Sequence, residues 1–263
     1  MKGILETKKS IHRRRIVLLG ALWIILLIAA VSLLSFLEFS FANDPNSRVI
    51  KSTSWSGYII TKEFNNNHLI NAITAEWEVP TINILATKTY SSAWIGIGGQ
   101  SDKTLIQIGT EHDVVNGKAN YRAWYEVLPA FSVTIPDFSV NPGDRVFASI
   151  SMIDTNQSTW KILLEDKTSG KSFTESIEYN STQSSGEWII ERPTVNSQVS
   201  TLTNFGTITF TDCNTTLENK TGPIGEFIYT KIEMTNQLAT PLTTVSSLSP
   251  DGGSFNVTYT NIG

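Results

Sequence analysis

RVFASISMI at Arg145–Ile153 and TWKILL at Thr159–Leu164 are the stretches that decide the fold class. In the first, Val146, Ala148, Ile150 and Met152 fall on one face of an extended chain; in the second, Trp160, Ile162 and Leu164 do. A period of two marks a strand with one buried face, because successive side chains of an extended backbone point to opposite sides. Phe255, Val257 and Tyr259 repeat the pattern near the carboxyl end. Turn residues separate these runs: Asn116-Gly117, Asn141-Pro142-Gly143-Asp144, Ser169-Gly170 and Asp251-Gly252-Gly253. Asn116-Gly117 is the sharpest of them, since a type I′ hairpin needs positive φ at both central residues. About a dozen strands are expected between Tyr58 and Tyr259, and no composition break divides them. The reading is an all-β chain whose body, residues 55–260, is one antiparallel β-sandwich.

Two further segments precede that body. From Ile16 to Leu37 no residue is charged, and a helix of that length crosses a hydrocarbon core of about 30 Å. Arg13-Arg14-Arg15 stands just before it, which keeps the amino terminus (1–15) in the cytoplasm and sends the body outside. Residues 16–42 are expected to be one transmembrane helix acting as a signal anchor, or a signal peptide cleaved after Ala42, the anchor being favoured by the length of the apolar run. Either way the body works at the cell surface or is secreted. Residues 43–54 are polar and read as a linker. Five Asn-x-Ser/Thr triplets, starting at Asn156, Asn180, Asn214, Asn219 and Asn256, suit an extracellular surface but also arise by chance in a chain rich in these residues.

The charge balance excludes some partners. The net charge is −4, but residues 1–42 carry six Lys/Arg against two Glu, leaving 14 basic and 22 acidic residues on the rest. An acidic body does not bind nucleic acid, which needs a basic patch that releases counterions. A single cysteine, Cys213, excludes an intrachain disulfide framework and any multi-Cys zinc site. Of the three histidines, His12 lies in the cytoplasmic segment, so His68 and His112 cannot build a three-histidine metal site. Both are expected to be loop residues. The G-x-S-x-G, H-E-x-x-H and phosphate-loop signatures are absent, as are the Asp-Thr-Gly and Asp-Ser-Gly tripeptides of aspartic peptidases. No metal or cofactor is expected.

Carboxylates and amides interleaved with aromatics remain. They occur in WIGIGG (Trp94–Gly99), LIQIGTE (Leu105–Glu111), AWYE (Ala123–Glu126) and GEWIIE (Gly186–Glu191). Trp124 and Glu126 share a strand face, as do Glu187 and Glu191. Aromatics in the core with carboxylates in water would explain most such strands. Gln107 resists that explanation, because an amide among Leu105, Ile106 and Ile108 is costly to bury without partners.

In this order the pieces resemble the glutamic peptidases, the G1 family also called eqolisins. Trp55-Ser56-Gly57-Tyr58 and Ala75–Pro80 resemble the family's first strands, and Trp94–Gly98 its W-V-G-I-D segment. Leu105–Glu111 resembles the strand with the catalytic glutamine, Ala123–Glu126 with Pro129 the A-W-Y-E-x-x-P segment, and Glu187–Glu191 the E-W-I-V-E strand with the catalytic glutamate. Asn204-Phe205-Gly206 and Asp251–Phe255 extend the likeness, which covers about Trp55 to Tyr259. The resemblance implies a concanavalin A-like sandwich of two bent sheets, with the site on a concave face. It implies Gln107 and Glu187 as the catalytic pair, and Trp94, Glu111, Trp124 and Glu126 as residues that line or support the site. Two departures stand out. The family's Asp is Gly98 here, so its role is lost or filled by another group such as Glu111. The disulfides of fungal members cannot form, and the apolar segment stands where they carry a long propeptide.

The implied activity is that of an acid-acting endopeptidase, a monomer without cofactor, acting on protein or peptide substrates. Two rival readings are a non-catalytic lectin-like or adhesion module and a two-carboxylate glycosidase. The last needs carboxyls about 5–9.5 Å apart, whereas Glu187 and Glu191 on one extended strand are separated by about 13 Å.

Overall fold

The computed structural model describes residues 47–260 except Asn196. The expected membrane segment, residues 16–42, lies outside the described residues. Among those described, no helix is long and apolar enough to cross a membrane. Helix is confined there to two 3-10 turns, Lys62–Phe64 and Ile224–Glu226. Nineteen strands, joined by turns and loops, are found among the described residues, more than the sequence suggests.

The first large sheet runs, in spatial order, β1 (Ser47–Ser52), β17 (Tyr229–Met234), β2 (Trp55–Thr61), β12 (Ser185–Glu191), β5 (Ser92–Gly98), β6 (Leu105–Val115), β7 (Lys118–Val127) and β8 (Val133–Thr134). The short β4 (Lys88–Thr89) adds to β6. The second runs β11 (Lys171–Glu178), β10 (Thr159–Asp166), β9 (Arg145–Asp154), β3 (Ile70–Glu78), β15 (Thr207–Leu217), β19 (Phe255–Tyr259) and β18 (Thr243–Val245), with β16 (Lys220–Pro223) beside β15. A two-stranded ribbon, β13 (Thr194–Val195) and β14 (Gln198–Val199), stands apart from both. The pairings are antiparallel, save that β1 joins β17 in parallel.

The two sheets close on one core. Val146, Ala148 and Ile150 of β9, and Trp160, Ile162 and Leu164 of β10, are buried there with Tyr58, Ile95, Ile108 and Trp188 of the first sheet. A Val, Ile or Leu side chain among them taken out of water contributes roughly 1.5–3 kcal/mol, which is why the two-residue alternation fixes strand register. Asn116 and Gly117 join β6 to β7 with φ of 52° and 72°, the values the type I′ turn requires. Cys213 is buried in the same core.

Three expectations need correction. The second half of the supposed linker, Ser47–Ser52, is the edge strand β1; its exposed Arg48, Val49 and Ile50 give it no one-faced apolar pattern to read. The excess over a dozen strands comes largely from pieces of two to four residues, too short for any period. His112 is no loop residue. It sits fully buried in β6 on the core side, its Nε2 2.8 Å from Thr110 Oγ1, and burial pushes its pKa down to about 3. His68 does lie in a loop, paired with Glu218 at 2.7 Å.

Candidate active site

A second apolar cluster lies on the face of the first sheet turned away from the core. It comprises Ile59, Trp94, Leu105, Trp124, Ile189 and Ile232. Register makes this face a grid. Glu187 of β12 stands opposite Gly96 of β5, Gly96 opposite Gln107 of β6, and Gln107 opposite Glu126 of β7. The next row is Ile189, Trp94, Gly109 and Trp124; the one after is Glu191, Ser92, Glu111 and Arg122. Residues opposite each other on neighbouring strands point to the same face. All six residues singled out from the sequence therefore stand on one surface.

Gly96 separates Glu187 from Gln107. At about 4.8 Å per strand their Cα atoms are about 10 Å apart, so two inward-leaning side chains can flank one small group between them. A Cβ on residue 96 would come within 2.9 Å of the Trp94 ring and 3.0 Å of Leu105 Cδ1. The glycine keeps that space clear.

Glu187 is 0% exposed, and neither carboxylate oxygen has a hydrogen-bond partner among the described residues. Burial holds its pKa well above the ordinary range; the Ser185 hydroxyl, close by but outside hydrogen-bond geometry, opposes this, and the charge of Asp102 adds to it. Gln107 is 4% exposed. Its Nε2 donates to Glu126 Oε2 at 2.5 Å, which orients the amide and leaves a second N–H, while Oε1 has no partner. Burial raises the pKa of Glu126, and bonds from Gln107 and the Ser132 backbone oppose the rise.

The surrounding groups form a partly paired acidic network. Glu191 accepts the Trp94 indole N–H at 2.9 Å. Burial lifts it to about 7 against the bonds from Trp94 and Trp55, with Glu126 and Glu111 adding to the rise. Glu111 takes two hydrogen bonds from Arg122, which also reaches Thr134 Oγ1 at 2.8 Å. Asp113, two residues beyond Glu111, is raised to about 7, first by burial and then by Glu111. Trp124 is buried with its indole N–H unpartnered.

Gly98 explains its own departure from the family pattern. Its φ is +91°, and a Cβ there would lie 2.3 Å from the Thr104 carbonyl oxygen. No aspartate fits. Glu111 does not take its place near Glu187, being engaged with Arg122 two rows away. The charge felt by Glu187 comes instead from Asp102, in the turn between β5 and β6. Asp102 accepts bonds from the hydroxyls of Thr104 (2.7 Å), Thr182 (2.6 Å) and Ser184 (2.6 Å). Against the burial that would raise it, these bonds hold its pKa down to about 2, so it stays charged in acid. Sequence reading missed Asp102, Asp113 and Arg122. Strand alternation from Glu111 and from Trp124 would have found the last two; nothing local marks Asp102.

Comparison with known proteins gives the family. A model of the Peptidase A4 family matches residues 53–259. Aspergillopepsin-2 of Aspergillus niger is 28% identical over 174 residues, 64% of this chain, and the chain spans 59% of that relative's length. Among solved structures, scytalido-glutamic peptidase with a transition state analog inhibitor superposes with a TM-score of 0.66 at 21% identity, over 80% of this chain and 99% of that one, a likeness of fold. Aspergilloglutamic peptidase from Aspergillus niger gives 0.58 at 25% identity, over 65% and 99%. With the family model spanning the strands that carry Gln107 and Glu187, the chain belongs to the Peptidase A4 family, the glutamic peptidases.

Proposed function

We propose that the chain is an endopeptidase in which Glu187 activates water and Gln107 stabilises the oxyanion. The supporting observation is the row Glu187–Gly96–Gln107, where a buried, unpartnered carboxylate faces an amide across a position without a side chain. A water between them gives a proton to Glu187 as its oxygen attacks the scissile carbonyl carbon. The carbonyl oxygen becomes an oxyanion and accepts the free Gln107 N–H, a donor worth about 2.7–4 kcal/mol of barrier. When the C–N bond breaks, Glu187 returns the proton to the leaving amine. Desolvation serves this cycle by making Glu187 a stronger base than a free glutamate. Trp94, Trp124, Glu111 and Glu126 line and support the pair; Glu126 orients the amide.

Activity then follows a bell in pH. Its acid limb reports ionisation of Glu187 and lies above the ordinary glutamate range. Its alkaline limb lies near 7, where Glu191 and Asp113 ionise and add negative charge to the face that carries the pair. The optimum is on the acid side of neutrality. The protein works outside the cytoplasm, anchored through residues 16–37 or released after Ala42. Incubating the full-length chain with an unfolded protein from about pH 3 to pH 9 tests the reading. Cleavage confined to the acid side and indifferent to a chelator is expected; an optimum near 8 or loss with chelator would mean other chemistry.

A further inference from the structure

The row through Glu187 does not end there. On its other side come Ile59 of β2, Thr230 of β17 and Arg48 of β1, each opposite the next. A cavity of about 390 Å³ lies on this extension, lined among others by Arg48, Ile50, Ile59, Thr61, Phe64 and Gln100. Its floor is apolar. Two of its features ask for a ligand. The Thr61 hydroxyl is buried without a partner, at the β2 position that stands opposite Ser185, itself two residues from Glu187. The Arg48 guanidinium lies 3.9 Å over the Phe64 ring, and no carboxylate pairs with it among the described residues. A guanidinium held flat on an aromatic ring keeps its charge and its N–H edge for a partner.

We propose that this cavity is a specificity subsite that takes an acidic substrate side chain, glutamate above all. The methylenes pack on Ile59 and Phe64, and the carboxylate meets Arg48 with the Thr61 hydroxyl as a further donor. The inference rests on the peptidase reading of Glu187 and Gln107. Arg48 precedes residue 53, where the family match begins, so this cation belongs to the chain's own edge strand rather than to the shared framework. The other cation on this face, Arg122, is already spent on Glu111. Arg48 is an unpaired cation about 14 Å from Glu187, three strand spacings away, and attracts an acidic side chain within about four residues of the scissile bond.

The test uses the full-length chain and peptides differing at one position, occupied by Glu, Gln or Lys, scanned through four residues on each side of the cleaved bond. At one position near pH 6, kcat/KM for Glu should exceed that for Lys by about tenfold or more. Arg48→Glu should invert the order, and Thr61→Val should weaken the Glu peptide while leaving the Lys peptide unchanged. The same ratios are read as binding, by anisotropy of labelled peptides on Glu187→Gln protein, so the result does not depend on turnover. A Glu-to-Lys ratio that Arg48→Glu leaves unchanged in binding overturns the subsite. Binding that responds to Arg48 while the wild-type chain cleaves nothing would instead remove the peptidase reading and leave the subsite standing.

Discussion

Gly96→Ala isolates the geometry of the pair without touching either member. The φ of Gly96 is outside the positive region, so alanine fits the backbone, and the whole perturbation is one methyl group placed between Glu187 and Gln107. That methyl arrives 2.9 Å from Trp94 Cζ3 and 3.0 Å from Leu105 Cδ1, against an ordinary carbon separation of about 3.5–4 Å. Leu105 can turn aside. Trp94 is held by its bond to Glu191 and by Trp55, whose ring lies 5.2 Å away edge-on. Overpacking of this kind costs about 1–3 kcal/mol, leaving the sandwich folded. The effect on turnover should be larger: displacing the reacting groups by about 1 Å lowers rates about 10²-fold. Thermal melting followed by circular dichroism, together with kcat on one peptide at the pH optimum, measures both. A variant that melts a few degrees lower yet turns over at the wild-type rate would show that catalysis does not occur in the space above Gly96.

Other outcomes follow from the same grid. Gln107→Ala should lower kcat by about 10²–10³ with little change in melting temperature, the loss of one oxyanion donor, whereas Glu191→Gln, two rows from Gln107, should be milder. Asp102→Asn removes a charge that helps raise Glu187, so the acid limb of the pH–rate profile should move down by about 0.5–1 unit with the alkaline limb in place; an unmoved acid limb would discard Asp102 as its source. Stability should depend on pH in a defined sense. Glu187, Glu191 and Asp113 have raised pKa values when folded, so the folded state holds protons that the unfolded chain releases, and stability falls as pH rises from about 4.5 through 7. Glu191 alone accounts for at most about 3 kcal/mol of that fall. Asp102 and Glu76 act oppositely, losing their contribution as pH drops below about 4, so melting temperature should peak near pH 4–5.

Much of this was legible in the sequence, for identifiable reasons. β9, β10 and β19 are long enough for alternation to show which face meets the core, and the Asn116-Gly117 turn carries its own backbone requirement. The same alternation places Trp94, Gln107, Glu111, Trp124, Glu126, Glu187 and Glu191 on one face once the strands are paired in register. What stayed hidden depends on pairing and depth. Glu187 reads like a carboxylate facing water, and its burial is not marked by any local pattern; the strands paired with β12, β2 and β5, are remote in sequence. β1 exposes Arg48, Val49 and Ile50 and offers no apolar face to detect. His112 alternates onto the core side of β6 only when the hairpin register is known. Asp102 acquires its place through Thr182 and Ser184, 80 and 82 residues away, contacts that no local pattern announces.

The central claim is that Glu187 carries the proton in peptide hydrolysis, and Glu187→Gln compared with Glu191→Gln tests it most directly. Both substitutions keep shape and remove one carboxylate from the same strand. Measured as kcat/KM on one peptide at the wild-type optimum, with circular dichroism confirming the fold, Glu187→Gln should abolish cleavage while Glu191→Gln retains it. Cleavage surviving in Glu187→Gln, or lost only in Glu191→Gln, would contradict the assignment.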